Sequence, residues 1–175
     1  METKIASFEL AVKTAAGSFI ARYSENGLAE MSFPKTGLEG RAARNPQRGI
    51  PGKIRAWHRL TETALKSVLA GRATGKLPPL DWAGGTDFQK SVWRELQRIS
   101  PGKTKSYGEV AEAIGKPKAV RAVGGACGAN PIPVLVPCHR VLAANNKLGG
   151  FSSGLEWKRR LLAREGIVLF SQPHA

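Results

Sequence analysis

The chain has 175 residues, enough for one full domain or for a domain with a small partner. Hydrophobic residues make up 42% and charged residues 23%, the balance of an ordinary globular protein with a core. No apolar run approaches the length of a membrane span, and Met1-Glu2-Thr3-Lys4 opens no secretory apolar segment, so the cytoplasm is expected, or the nucleus in a eukaryotic source. Lys and Arg number 27 against 13 Asp and Glu, a formal net charge of +14. Such an excess costs self-repulsion and concentrates polyanions, which puts nucleic acid first among partners and an anionic membrane second. The two cysteines, Cys127 and Cys138, cannot make a disulfide framework. His58, His139 and His174 are scattered, so neither a metal site nor a cofactor is expected.

In chain order, Phe8, Leu10 and Val12 alternate with polar or small residues, as do Phe19, Ala21 and Tyr23, and then Ala29, Met31 and Phe33. Asn26-Gly27 reads as a two-residue hairpin turn between the last two runs. This is a small antiparallel meander. Residues 34–52 show no periodicity and read as loop. Trp57, Leu60, Ala64, Leu65, Val68 and Leu69 repeat at helical spacing, with Gly71 placed to end the helix. Lys76-Leu77-Pro78-Pro79-Leu80 reads as a stiff linker. Thr86-Asp87-Phe88-Gln89 and Ser106-Tyr107-Gly108-Glu109 are capping boxes opening two helices, the first burying Phe88, Val92, Leu96 and Ile99, the second Val110, Ala111 and Ile114. Gly115-Lys116-Pro117 breaks the second, and Lys118 to Cys127 forms a third helix rich in small residues. Ser153-Gly154-Leu155-Glu156 reads as one more capping box, before a helix with Leu155, Leu161 and Leu162 inward that Gly166 stops. The expected fold is α+β: residues 1–80 a strand-rich support domain, residues 81–175 a mostly helical domain with a helix-turn-helix of winged-helix-like kind.

Asn130-Pro131-Ile132-Pro133-Val134-Leu135-Val136-Pro137-Cys138-His139-Arg140-Val141 holds three prolines within seven residues, so its backbone is rigid and irregular. Cys138 fits a buried structural thiol or a nucleophile whose proton His139 removes, directly or through a water, with Glu165 orienting the histidine. Taken alone, this admits a cysteine hydrolase or a helix-turn-helix regulator with an inert thiol.

Ser106-Tyr107-Gly108-Glu109, Arg121-Ala122-Val123-Gly124, Asn130-Pro131, Pro137-Cys138-His139-Arg140-Val141 and Leu161-Leu162-Ala163-Arg164-Glu165-Gly166 together resemble the O6-alkylguanine-DNA alkyltransferase family. The resemblance runs from about Phe88 to Gly166 and is loose over the first eighty residues. It implies direct reversal of damage in double-stranded DNA: an alkyl group on guanine O6, and also O4-methylthymine, passes irreversibly to Cys138 in a single turnover. It implies further that His139 activates Cys138 through water with Glu165 completing the relay, that Asn130 braces the turn, and that Tyr107 protonates the purine as the alkyl group leaves. By the same resemblance Arg121 is expected to fill the stack after the nucleotide is flipped, with Ser106, Ala122 and Gly128 beside it on the DNA side. The resemblance also implies a substrate pocket formed by Val141, Phe151, Ser152 and Pro133. No membrane partner is expected; the protein is expected to be a monomer, with cooperativity on DNA left open. Phe151 stands where many members have tyrosine, Ser153 where glycine is frequent, and an arginine common in relatives is missing from Cys127-Gly128-Ala129.

Overall fold

A computed structural model describes residues 7–35 and 49–169. The loop expected over 34–52 therefore lies largely outside the described residues, as does His174. The chain divides into two compact units. The first gathers the described residues up to Val68 with Thr74–Gly84 and Pro131–Leu135; the second holds Leu69–Ala73, Gly85–Asn130 and the residues from Val136 on. The architecture is α+β, as expected.

In the first unit, β1 (Phe8–Thr14), β2 (Gly17–Tyr23) and β3 (Leu28–Ser32) form an antiparallel sheet in that order. Alternation sends Leu10, Val12, Phe19, Ala21 and Tyr23 to one buried face. The next connection differs from the expected two-residue turn. Tyr23 pairs with Leu28 and Arg22 with Glu30, so a bulge displaces Ala29, and Leu28 and Met31 are the buried residues of β3. The turn is wider, with Ser24 N donating to Gly27 O at 2.9 Å. Gly27 sits at φ +156°, where a Cβ would lie 2.2 Å from Pro79 O.

That close approach corrects the linker expectation. Leu28 N donates to Pro79 O and Asp81 N to Leu28 O, both at 2.8 Å, so the proline-rich segment lies along the free edge of β3. Met31 N donates to Pro131 O at 2.8 Å on the same edge. Two irregular segments thus cover the sheet edge that would otherwise be unpaired. Helix α1 (Gly52–Leu69) starts five residues before Trp57, and its buried face is Ile54, Thr61, Ala64, Leu65, Val68 and Leu69, with Trp57 and Leu60 half-buried.

In the second unit, α2 (Asp87–Leu96) opens on the Thr86 capping box and buries Val92, Trp93 and Leu96 with Ile99 beyond its end; Phe88 is only half-buried. Trp93 Nε1 donates to Ala126 O at 2.8 Å, tying α2 to α4 (Val120–Gly128). β4 (Lys105–Ser106) pairs in parallel with β5 (Val141–Leu142). Ser106 then caps α3 (Tyr107–Ala113), its hydroxyl accepting from Glu109 N at 3.1 Å while the Glu109 carboxylate accepts from Ser106 N at 2.6 Å. Gly115 at φ +71° turns the chain from α3 into α4, giving the expected helix pair.

The expected capping box at Ser153 does not form. The N-cap of α5 (Leu155–Arg164) is Gly154 at φ +92°, with no side-chain cap, and Leu155 is exposed rather than inward. The α5 face that is buried carries Lys158, Leu161 and Leu162. Among the described residues no helix is long and apolar enough to cross a membrane.

Candidate functional site

The site is built on the irregular segment leading into β5. Pro137, at φ −81° and ψ 64°, centres an inverse γ-turn in which Cys138 N donates to Val136 O at 2.8 Å. Asn130 Nδ2 donates to the same carbonyl at 2.8 Å, so one acceptor closes the turn from two sides. A 3-10 turn, Cys138–Arg140, follows and carries Cys138, His139 and Arg140 inward, all three buried.

His139 and Arg140 meet Glu165, the C-cap residue of α5. A carboxylate at a helix C-terminus opposes the dipole, so its pairing must compensate. His139 Nε2 lies 2.9 Å from Glu165 Oε1. Arg140 Nε reaches both carboxylate oxygens at 3.1 and 3.0 Å, Arg140 Nη2 reaches Oε1 at 2.8 Å, and Gly102 N donates to Oε2 at 3.2 Å. Arg140 Nη1 donates to Ile99 O. Burial by itself raises the Glu165 carboxyl, but the hydrogen bonds and charges of His139 and Arg140 outweigh it and hold the group at about 2. The carboxylate is ionised and can only accept, so His139 carries its proton on Nε2. Burial pushes His139 below the usual histidine range, the Glu165 interactions oppose this, and the Arg140 and Lys158 charges add to the lowering. His139 is thus a neutral base near pH 7, with a lone pair on Nδ1, which is buried and has no hydrogen-bond partner among the described residues.

Cys138 has the opposite bias. Burial pushes its thiol up, while the Asn130 side chain, the Lys158 charge and the backbone N–H groups of Cys138 and His139 act to lower it. The pocket therefore keeps a protonated thiol at rest, surrounded by groups that favour the thiolate once the proton is removed.

Lys158 is fully buried. Its ammonium donates to Val141 O at 2.7 Å, to Leu148 O and to Gly150 O at 3.3 Å. It thereby pins the segment that ends at the pocket wall. Replacing it with methionine leaves the buried Val141 carbonyl and the part-buried Leu148 and Gly150 carbonyls without this donor, and an unsatisfied buried group costs about 1–3 kcal/mol. Lys158→Met should lower stability by about 3 kcal/mol and Tm by about 6–12 °C, read by thermal melting; an unchanged Tm contradicts the pinning.

The pocket encloses about 570 Å³ within the second unit. One wall is a helical stripe of α4, Val120, Arg121, Gly124, Cys127 and Gly128; the other groups are Tyr107, Cys138, Gly150, Phe151 and Ser152. Tyr107 opens α3 and is half-buried; burial first, then the two thiols, raise its hydroxyl, which also meets the backbone of Gly150. A Cβ on Gly149 would lie 3.0 Å from that hydroxyl, so glycine makes room for it. Arg121, Ala122 and Gly128 are exposed.

The structure thus brings together Cys138, Tyr107, Arg121, Gly128, Phe151 and Ser152 at one pocket, with His139, Glu165 and Asn130 behind Cys138. The others stand elsewhere. Ser106 spends its hydroxyl on the cap of α3. Val141 is fully buried and offers its carbonyl to Lys158, and Pro133 is buried in the first unit; neither lines the pocket. Sequence reasoning missed Arg140 as the clamp on Glu165, Lys158 as a buried donor and Cys127 as part of the wall. Lys158 had one signal, its position three and four residues before Leu161 and Leu162 on the apolar face of α5.

Residues 87–167 match the family described as 6-O-methylguanine DNA methyltransferase, DNA binding domain. The chain is similar to the methylated-DNA–protein-cysteine methyltransferase of Methanosarcina mazei, with 42% identity over 144 residues, 81% of this chain and 85% of that one. With the protein of the same name from Methanosarcina acetivorans it shares 58% identity over 82 residues, 47% of this chain and 53% of the relative, so this match spans about half of that relative's length. Among solved structures it resembles Mycobacterium tuberculosis OGT in complex with DNA, at a TM-score of 0.67 and 34% identity, covering 90% of this chain and 91% of that one.

Proposed function

The chain belongs to the methylated-DNA–protein-cysteine methyltransferase family, and from that premise we propose that it repairs DNA by moving an alkyl group from guanine O6 onto its own Cys138. The observation that carries the reading is a thiol on a pocket wall, backed by a neutral His139 that Glu165 holds with Nδ1 free to accept a proton.

In this reading the damaged guanine leaves the duplex and enters the pocket, since the O6-alkyl carbon is out of reach inside the stack. Arg121, exposed on α4, fills the gap left behind. The Cys138 proton passes through a water to His139 Nδ1, and Glu165 stabilises the imidazolium. The sulfur then forms the S–C bond as the O6–C bond breaks, and Tyr107 gives a proton to the purine as the alkyl group leaves. Asn130 braces the turn that presents Cys138. The product is a thioether, which water does not readily hydrolyse, so each molecule acts once. O4-methylthymine presents the same kind of carbon and is included. The proposal places DNA contact and acceptor chemistry in residues 81–175, assigns residues 1–80 a supporting role, and takes the protein as a monomer on DNA carrying O6-alkylguanine.

Arg121→Ala tests the flipping step. Extruding a base costs a few kcal/mol, and each 1.4 kcal/mol is tenfold. Repair of methylated duplex should slow by about 10- to 100-fold, with reaction toward free O6-methylguanine nearly unchanged. Equal slowing of both would remove Arg121 from this role.

A further inference from the structure

Cys127 takes no part in the transfer described above, yet it is the second thiol of the same pocket. Both cysteines are free and both line the cavity. Asn130 follows Cys127 by three residues, its backbone N–H donating to Cys127 O at 3.3 Å, and its side chain is among the groups that lower the Cys138 thiol. Tyr107 and Lys158 each respond to charge on both sulfurs. Burial pushes the Cys127 thiol up to about 12, and the neighbouring Cys138 adds to the rise. Cys127 also sits in the last turn of α4, followed by Gly128 and the C-cap Ala129.

We propose that Cys127 is a resolving thiol for Cys138: a hydroperoxide oxidises Cys138 to a sulfenic acid, and Cys127 converts it to a Cys127–Cys138 disulfide that a thiol reductant reopens. In the first step the Cys138 sulfur attacks one peroxide oxygen, the O–O bond breaks, and the leaving oxygen departs with the thiol proton, as water when the oxidant is hydrogen peroxide. In the second, the Cys127 sulfur attacks the sulfenic sulfur, the S–S bond forms and the S–O bond breaks, and the hydroxyl leaves with the Cys127 proton as water. Two thiols supply the two electrons that the peroxide takes up. A sulfenic acid left unresolved proceeds to the sulfinic acid, which thiol reductants do not reverse. For a protein that acts once, a reversible cap preserves the acceptor through an oxidising episode and closes the pocket meanwhile. This consequence rests on Cys138 being the acceptor, whereas the disulfide chemistry does not.

Peptide mapping reads the disulfide directly. The full chain is treated with excess hydrogen peroxide, remaining thiols are blocked in denaturant, and the peptides are weighed. The expected product is a Cys127–Cys138 linked peptide lacking two hydrogens and fully restored by dithiothreitol. In Cys127→Ser the expected product is Cys138 sulfinic acid, which dithiothreitol leaves in place. Wild-type protein that yields Cys138 sulfinic acid with Cys127 still free, at the rate seen in Cys127→Ser, overturns the proposal. The readout is the state of the thiols, so such a failure leaves the transfer reading untouched. A failure of transfer from methylated DNA likewise leaves the disulfide standing.

Discussion

Cys138→Ala abolishes covalent methyl transfer while duplex DNA affinity stays within about twofold, a change below 0.5 kcal/mol. The loss is complete because no other group can replace this sulfur. Cys127 is the one other thiol in the chain, and burial, the larger cause of its raised thiol, persists without Cys138 and disfavours its thiolate. His139 serves as a base for Cys138 and lacks the nucleophilicity of a thiolate. Affinity survives because Cys138 is buried and the exposed groups facing DNA in this account, Arg121 and Ala122 on α4, are untouched. The measurement is methyl incorporation into protein beside a binding titration at fixed salt, since phosphate contacts make affinity salt-dependent. Retained incorporation would place the acceptor at Cys127.

Glu165→Ala loses stability and transfer together. The carboxylate is fully buried and takes hydrogen bonds from His139, Arg140 and Gly102. Removing it strands a buried guanidinium with Ile99 O as its remaining acceptor here, and breaking a buried pair from one side costs about 3–5 kcal/mol. Tm should fall by about 6–20 °C. Transfer should fall by about 100- to 10,000-fold, the usual worth of a positioned base, because His139 loses the partner that fixes its tautomer. Glu165→Gln separates the two effects, keeping the shape while removing the charge. The native carboxyl titrates at about 2 against an ordinary value near 4.5. A depressed carboxyl contributes stability that is fully present above about 4.5 and is lost as pH falls toward 2. Glu165→Gln should therefore flatten the acid limb of the stability curve over that window. A variant with the wild-type acid limb would mean that other carboxylates set it.

What the sequence revealed was mostly what is local. The boxes at Thr86 and Ser106 form as read, because four consecutive residues contain both partners of each hydrogen bond. The same pattern at Ser153 fails, because Gly154 at φ +92° takes the cap position itself. The Asn26-Gly27 segment and the proline-rich stretch depart from a two-residue turn and a linker for one shared reason. The Pro79 carbonyl pairs with Leu28, about fifty residues away, and that contact fixes Gly27 and the β3 edge together. At the site, Cys138 and His139 announce themselves as neighbours in an irregular segment. Arg140 and Lys158 do not, since the burial of a charge depends on acceptors supplied by distant segments: Glu165 and Ile99 for one, Val141, Leu148 and Gly150 for the other. Ser106, expected on the DNA side, also accepts the Glu109 N–H as the cap of its own helix, a role the capping box announces.

The most direct test of the central claim is the intact mass of the protein after mixing with excess duplex DNA containing O6-methylguanine. The account predicts a gain of one methyl group per chain, mapped to Cys138, with no further gain on longer incubation. Unchanged mass with tight DNA binding, or demethylated DNA without a stable adduct on the protein, would contradict it.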